Sequence, residues 1–241
     1  RQAPALLQLM SAAPQRWARG IVVIRIGVNS FGREADLDRL ARDPADPAVQ
    51  REISSCLADV SASVDLIRTA HPRTRFVLVG VFDNSHWAKY TDRWQDPAAL
   101  RNIAAGLDRY DDGLRELARS QPGIVFFDDR GWFARHWGGR DAQGRPAYRE
   151  VPLGGLSVAN TAGDEPHHAV LSDGHAGTVW NGLWAQALVD LLNRSFALGV
   201  RPVQPDEIAG LLRGEGHPGA SYRPDGASQA SLNGRPGARN P

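Results

Sequence analysis

Three short runs of β-branched and aromatic residues alternate with two long apolar stripes, and this alternation restricts the fold more than any other feature. The runs cover residues 21–26, 76–82 and 124–127. Short continuous apolar runs of this kind are typical of strands buried on both faces of a parallel sheet. Between them, apolar side chains recur at helical spacing over residues 49–67 and 100–117. The order strand, helix, strand, helix, strand predicts an α/β fold with a parallel sheet.

The rest of the chain divides into one more helix, two irregular stretches and a tail. The last clear helical stripe spans roughly residues 177–195, whereas residues 33–46 and 130–172 show no regular period and are expected to be irregular. Towards the C-terminus Gly, Pro, Ser, Asn and Arg dominate, which is the composition of a disordered segment. We therefore expect one α/β domain over residues 1–200 and a largely disordered extension over residues 201–241.

Composition narrows the classes of partner. The chain has 241 residues and a net charge of +1, so its charge gives no reason to expect nucleic acid or an anionic membrane. No apolar run approaches the ~18 residues that a membrane-spanning helix needs. Cys56 is the only cysteine, which excludes an intrachain disulfide and a cysteine zinc site. No signal peptide is visible, and the sequence leaves the compartment and the oligomeric state open.

Candidate chemical groups follow the first predicted strand and precede the last predicted helix. Asp173 and His175 lie where that helix begins, and a carboxylate beside an imidazole is the base half of a nucleophilic hydrolase. Gly27 and Asn29 directly follow the first strand, where a rigidly held amide donor stabilises the oxyanion of acyl transfer. Ligands of parallel α/β sheets bind beyond the carboxyl ends of the strands, so both groups are expected at one site.

Two blocks and their order resemble the SGNH (GDSL-type) serine hydrolases. The sequence GVNS at residues 27–30 follows a strand, as the family's Gly-x-Asn-Asp block does. The sequence SDGH at residues 172–175 precedes a helix, as the family's Asp-x-x-His block does. A helix ending at His71-Pro72 and the run at residues 76–82 stand between them in the family's order. The resemblance covers about residues 20–195 and implies a flavodoxin-like three-layer sandwich.

The resemblance also implies an activity and a role for each site residue. Members of the family hydrolyse acyl or acetyl esters with a serine, a histidine and an aspartate, and no metal or cofactor is expected. By resemblance, His175 is the catalytic base and Asp173 is its acid partner. Asn29 and Gly27 then belong to the oxyanion hole. The implied partner is an ester of a small molecule, a glycan or a lipid.

Two departures from the family pattern affect this expectation. One residue separates Asp173 from His175, whereas the family has two residues there, and the family spacing occurs instead between Asp164 and His167. The family's opening Gly-Asp-Ser block, with the strand that carries it, has no counterpart in residues 1–20. We therefore expect the opening strand and the nucleophilic serine to lie upstream of this chain, or the chain to be a degenerate member.

Three alternatives stay open. Ser30 could itself be the nucleophile, because Ser, Asp and His then follow in the α/β-hydrolase order. A metal-dependent hydrolase could take its ligands from Asp164, His167, His168, Asp173 and His175. A binding module without activity could hold glycans through tryptophans expected on loops, namely Trp87, Trp94, Trp132 and Trp137. Trp180 and Trp184 are expected in the core, and Arg25 is expected to pair with a carboxylate at a sheet edge.

Overall fold

The computed structural model describes residues 2–213, which form a mixed α/β protein. The helices α1 to α9 span Gln2–Ala12, Pro14–Trp17, Val28–Phe31, Glu34–Arg42, Pro47–Ala70, Pro97–Ser120, Asp129–Trp137, Thr178–Phe196 and Pro205–Leu212. The strands β1 to β8 span Ile21–Ile24, Arg75–Val79, Ile124–Phe127, Gly138–Arg140, Pro146–Tyr148, Val151–Leu153, Leu156–Ala162 and His168–Val170. Two short 3₁₀ helices lie between β2 and α6, at Asn84–His86 and Ala88–Tyr90.

Strands β1, β2 and β3 form the parallel sheet that the alternating pattern predicts, in the order β1-β2-β3. Side chains point to opposite faces at successive positions of a strand. Along β2, Phe76 and Leu78 therefore face one hydrophobic core, while Val77 and Val79 face another. The prediction of burial on both faces is confirmed for β2 and wrong for β1, whose Val23 is 40% exposed because this strand lies at the edge of the sheet among the described residues.

Helices cover both faces of this sheet. The first core lies between the sheet and helices α1, α4, α5 and α6, and it includes Met10, Leu40, Ile53, Leu78 and Ile103. The second core involves helices α7, α8 and α9, and it includes Val77, Phe127, Trp132, Trp137, Trp180 and Ile208. Because β2 contributes side chains to both, this central strand joins the two cores.

The two long helices begin where the sequence places their caps. The carboxylates of Asp46 and Asp96 each accept two backbone N–H groups in the first turns of α5 and α6. Pro47 and Pro97 follow them at the start of each helix, where a proline sacrifices no intrahelical hydrogen bond. The predicted N-terminal ends of both helices are therefore confirmed.

Two stretches that the sequence predicts to be irregular contain regular structure. Residues 33–46 hold helix α4, whose Leu37 and Leu40 are buried in the first core. Residues 130–172 hold most of α7 and the strands β4 to β8, which form smaller sheets beside the parallel one. The prediction was wrong because four of these five strands have three residues each, too few for a periodic pattern to appear.

Trp132 and Trp137 belong to helix α7, which corrects the expectation that they lie on loops. Their ring centroids each lie 5.0 Å from that of Trp180 on α8. All three indoles are buried, so the prediction that Trp180 is a core residue is confirmed, whereas Trp184 is only partly buried against the same core. The sequence around α7 could not reveal this, because Trp180, the ring on which both tryptophans pack, belongs to α8 and is distant in the chain.

Helix α9 packs onto α8 and contributes to the second core. Ile208 is buried, and a Cβ on Gly182 of α8 would come within 2.8 Å of it, so the two helices approach closely. The extension over residues 201–241, predicted to be largely disordered, therefore begins with a packed helix, and its residues from 214 onward lie outside the described residues. Within residues 2–213, none of the helices combines the length and the apolar character of a membrane span.

Candidate active site

Gly27, Asn29, Asp173 and His175 all line one cavity of about 710 Å³. The first two reach it from the carboxyl end of β1 and the start of α3, and the other two from the turn before α8. Gly80, which follows β2, lines the same cavity. The structure therefore brings the four residues predicted for the site together, at the edge where parallel sheets bind ligands.

Asp173 and His175 form a pair despite the short spacing between them. Nδ1 of His175 lies 3.1 Å from Oδ1 of Asp173, and the same oxygen accepts the backbone N–H of His175 at 2.9 Å. Gly174 adopts a φ of +87°, a left-handed conformation that glycine tolerates and that lets the turn close. Hydrogen bonds from the backbone and then the side chain of His175 lower the pKa of the Asp173 carboxyl, which favours its charged form.

The alternative acid and base, Asp164 and His167, form no hydrogen bond or ion pair with each other among the described residues. Asp164 instead accepts the backbone N–H and the hydroxyl of Ser172, at 3.1 and 2.7 Å, and so holds the residue just before Asp173. The hydroxyl bond, with the backbone bond, lowers the pKa of the Asp164 carboxyl. The ring of His167 lies 4.0 Å from that of His168, and neither imidazole lines the cavity.

Gly27 and Asn29 form the connection between β1 and α3. Gly27 has a φ of +116°, and a Cβ there would lie 2.8 Å from the ring of Phe31, so the position requires glycine. The backbone carbonyl of Asn29 accepts the Nε–H of Arg33 at 2.6 Å. The side-chain amide of Asn29 makes no hydrogen bond within residues 2–213, which leaves its N–H groups available to a molecule in the cavity.

Arg25 joins the ends of β1 and β3 beside these groups. Its Nη2 donates to Oδ2 of Asp129 at 3.0 Å, and its guanidinium lies 4.8 Å from the ring centroid of Trp184. Trp184 donates its indole N–H to the other oxygen of Asp129 at 2.9 Å. Burial raises the pKa of the Asp129 carboxyl, and the charge of Arg25 opposes that rise. The expectation that Arg25 pairs with a carboxylate at the sheet edge is confirmed.

An aromatic wall forms another part of the cavity, and its make-up was only partly predicted. Phe82, Trp87 and Trp180 line it, with ring centroids 5.5 Å apart for Phe82 and Trp87 and 4.8 Å apart for Trp87 and Trp180. Sequence reasoning missed Phe82 and Trp180 as cavity residues. The signal for Phe82 is its position just beyond the carboxyl end of β2. Trp94, in contrast, donates its indole N–H to Asp38 at 3.0 Å, outside the cavity.

The structure places Ser30, the alternative nucleophile, at the cavity, but it does not bring the proposed metal ligands together. Ser30 lines the same cavity, although its hydroxyl makes no hydrogen bond with His175 in the described part of the chain. For the metal alternative, residues 2–213 contain no group of three or more His, Cys, Asp or Glu side chains placed to hold an ion. His168, one of the proposed ligands, contacts Thr161 and Glu165 instead.

Comparison with family models, curated proteins and solved structures finds no significant match for this chain. The groups in the cavity therefore have to indicate its chemistry themselves. They include a carboxylate–imidazole pair, a side-chain amide that bonds to none of residues 2–213, and an aromatic wall.

Proposed function

We propose that this chain carries the base and oxyanion parts of an SGNH (GDSL-type) ester hydrolase on a flavodoxin-like three-layer fold. One observation carries the proposal: Asn29, from the end of β1, shares a single cavity with the Asp173–His175 pair that precedes α8. The parallel order β1-β2-β3, with a core of helices on each face, supports the proposed fold.

The proposed reaction assigns each group in the cavity a role that its acid–base or hydrogen-bonding chemistry allows. A serine hydroxyl in this cavity loses its proton to His175 as it attacks the ester carbonyl, and His175 then gives the proton to the leaving alcohol. Asp173, 3.1 Å from Nδ1, orients the imidazole and stabilises its charged form. The oxyanion accepts hydrogen bonds from the amide of Asn29 and the backbone N–H of Gly27. Water then attacks the acyl-enzyme by the same route.

In this proposal the serine comes from outside the 241 residues, on a strand beside β1. Among the described residues β1 lies at an edge of the parallel sheet, and its Val23 is 40% exposed. An edge strand presents backbone N–H and C=O groups with which a further strand can pair. A strand added in parallel ends on the same side as Asn29, so a serine at its carboxyl end reaches the cavity.

A second candidate places the nucleophile on Ser30, because this residue lines the same cavity. A third is a binding module without activity, which the wall of Phe82, Trp87 and Trp180 favours because aromatic faces bind sugars and acyl chains. The three candidates differ in turnover and in the serine that reacts.

The test is hydrolysis of p-nitrophenyl acetate by the natural full-length protein. We expect His175→Ala to lower kcat by at least about 10³-fold and Asn29→Ala by about 10²- to 10³-fold, the loss typical of one oxyanion donor. Two control variants remove the same chemical groups elsewhere. His167→Ala removes an imidazole outside the cavity, and Asn102→Ala removes an amide that donates to the Ala41 carbonyl. Both controls are expected to retain full activity.

Labelling with a fluorophosphonate, followed by peptide mapping, identifies the nucleophile. A label on a serine outside the 241 residues supports the proposal, and a label on Ser30 supports the second candidate. Full activity of His175→Ala would contradict both. Binding of an ester without turnover and without a label would favour the binding module.

A further inference from the structure

Trp87 connects the aromatic wall of the cavity to the turn that carries the candidate base. Its indole N–H donates to the carbonyl oxygen of Gly174 at 3.0 Å. Gly174 is the residue between Asp173 and His175, and the ring of Trp87 lines the same cavity as their side chains. One side chain therefore contacts both the space for a ligand and the backbone of the base turn.

The base turn contains two backbone hydrogen bonds of its own. Within it, the Leu171 N–H donates to the His175 carbonyl at 2.8 Å and the Gly174 N–H donates to the Leu171 carbonyl at 2.9 Å. The side chains of His175 and Asp173 are 82% and 62% exposed, so packing does little to fix them. Because the bonds inside the turn move with it, a contact from another element is needed to hold its place relative to the cavity. Asp164 provides such a contact at Ser172, and Trp87 provides the one at Gly174, between the acid and the base.

The ring of Trp87 is itself held by its neighbours. It stands edge-on to Trp180 at 4.8 Å and to Phe82 at 5.5 Å, and both of these rings are buried in the second core. Its N–H direction is therefore set before any ligand binds. Hydrogen bonds of this kind orient a functional group without touching the reacting atoms.

We propose that Trp87 is a positioning residue, which holds the His175 turn in place and links it to an acyl or aromatic group lying on the cavity wall. The catalytic part of this inference rests on the proposed ester hydrolase. A substrate group that packs on the Trp87 ring restricts that ring further and, through the Gly174 carbonyl, restricts the base turn. Substrates with a larger apolar acyl group then gain in kcat from Trp87, and acetyl esters gain less.

The test compares Trp87→Phe with Trp94→Phe. Each change removes one indole N–H that makes a single hydrogen bond of 3.0 Å, to the Gly174 carbonyl in one case and to the Asp38 carboxylate in the other. With p-nitrophenyl butyrate and the natural full-length protein, we expect Trp87→Phe to lower kcat about fivefold, the effect of one ordinary hydrogen bond, with KM nearly unchanged. Trp94→Phe is expected to leave both constants unchanged. Equal losses of kcat in the two variants would overturn the proposal.

A second measurement does not depend on activity. Amide hydrogen exchange at Leu171 and Gly174 is expected to be several-fold faster in Trp87→Phe than in the natural protein, and unchanged in Trp94→Phe. Unchanged exchange at both amides in Trp87→Phe would overturn the positioning role, whether or not the protein hydrolyses esters. One further outcome separates the two proposals. If the natural protein hydrolyses no ester but amide exchange is still faster in Trp87→Phe, the proposed function is wrong and the positioning role of Trp87 is supported.

A third variant distinguishes loss of the hydrogen bond from loss of folding or ring packing. Replacing Trp87 by β-(3-benzothienyl)alanine keeps the shape of the bicyclic ring and exchanges the N–H for sulfur. This variant is expected to reproduce both the slower kcat and the faster exchange. Natural values for both would overturn the proposal, because they would show that ring packing alone sustains the turn.

Discussion

Gly174 supplies the backbone conformation on which the Asp173–His175 pair depends. Its φ of +87° lies in the left-handed region, where a residue with a Cβ is strained by roughly 1–2 kcal/mol. The space around it is open, since the nearest atom to an added Cβ would be Cδ of Lys89 at 3.8 Å. The need for glycine here is therefore conformational and does not come from crowding.

Gly174→Ala tests whether the backbone conformation of this turn matters for hydrolysis as well as for stability. Gly155, in the β6–β7 connection, has a φ of +84° and no atom within 4 Å of an added Cβ, so Gly155→Ala is a matched control. Both variants are expected to lose about 1 kcal/mol of unfolding free energy in urea titrations. Only Gly174→Ala should also lower ester hydrolysis, because it displaces His175 from Asp173. Equal hydrolysis by the two variants would count against the role given to this turn.

The ends of strands β1 and β3 are connected by the ion pair between Arg25 and Asp129. The Asp129 side chain is 1% exposed and the Arg25 side chain 42%, so one partner is buried and the other partly solvated. Burial raises the pKa of Asp129 above its unfolded value, so in the interval between the two values the folded state binds more protons than the unfolded state. Within that interval this group makes the protein less stable as the pH rises.

Arg25→Met should make this pH dependence stronger. Removing the guanidinium leaves the Asp129 carboxylate buried without its cation, which raises its pKa further. The expected loss of unfolding free energy at pH 8 is roughly 1–3 kcal/mol, reduced from the value for a fully buried pair because Arg25 is partly solvated. The loss should be smaller at pH 5, where Asp129 takes up a proton more readily.

The matched control is Arg119→Met, which breaks the exposed ion pair with Glu116. That change is expected to alter the unfolding free energy by no more than about 0.5 kcal/mol at either pH. Urea titrations of both variants at pH 5 and pH 8 provide the measurement. A loss in Arg25→Met that is the same at the two pH values would show that Asp129 does not titrate as described.

At the scale of the whole molecule, residues 2–213 form two hydrophobic cores that share the central strand β2. Phe76 and Leu78 belong to the first core, and Val77 and Val79 belong to the second. A strand packed on both faces cannot leave one core without exposing apolar side chains of the other. We therefore expect residues 2–213 to unfold as one cooperative unit, with both cores lost together.

Leu78→Ala tests this cooperativity. The change removes a fully buried side chain of the first core and is expected to cost about 2–5 kcal/mol of unfolding free energy. Tryptophan fluorescence reports mainly on the second core, which buries Trp132, Trp137 and Trp180, and to a smaller extent on the first core, which buries Trp94. Its urea midpoint should fall by the same amount as the midpoint followed by far-UV circular dichroism. Separate midpoints would show that the cores unfold independently. As a control, Leu9→Ala changes a side chain that is 65% exposed and should shift neither of the two urea midpoints.

Local patterns in the amino-acid order were enough to predict the central sheet and its two long helices. The periodicity of apolar residues distinguishes strand from helix, and Asp46 and Asp96 satisfy backbone N–H groups only a few residues away. Parallel strands place their carboxyl ends at one edge, so the position of Asn29 at the cavity also follows from that order. Nothing beyond short-range geometry and one rule of α/β topology is needed for these predictions.

Tertiary packing alone decided the contacts between distant, short elements. The bond from Trp87 to Gly174 and the wall of Phe82 and Trp180 join segments that are far apart in the chain. Such contacts leave no periodic trace, because each depends on where whole helices and strands come to rest against one another. The paths of the β7–β8 connection and of the turn before α8 decided which exposed polar groups found partners: Asp164 bonded to Ser172, while Asp173 paired with His175.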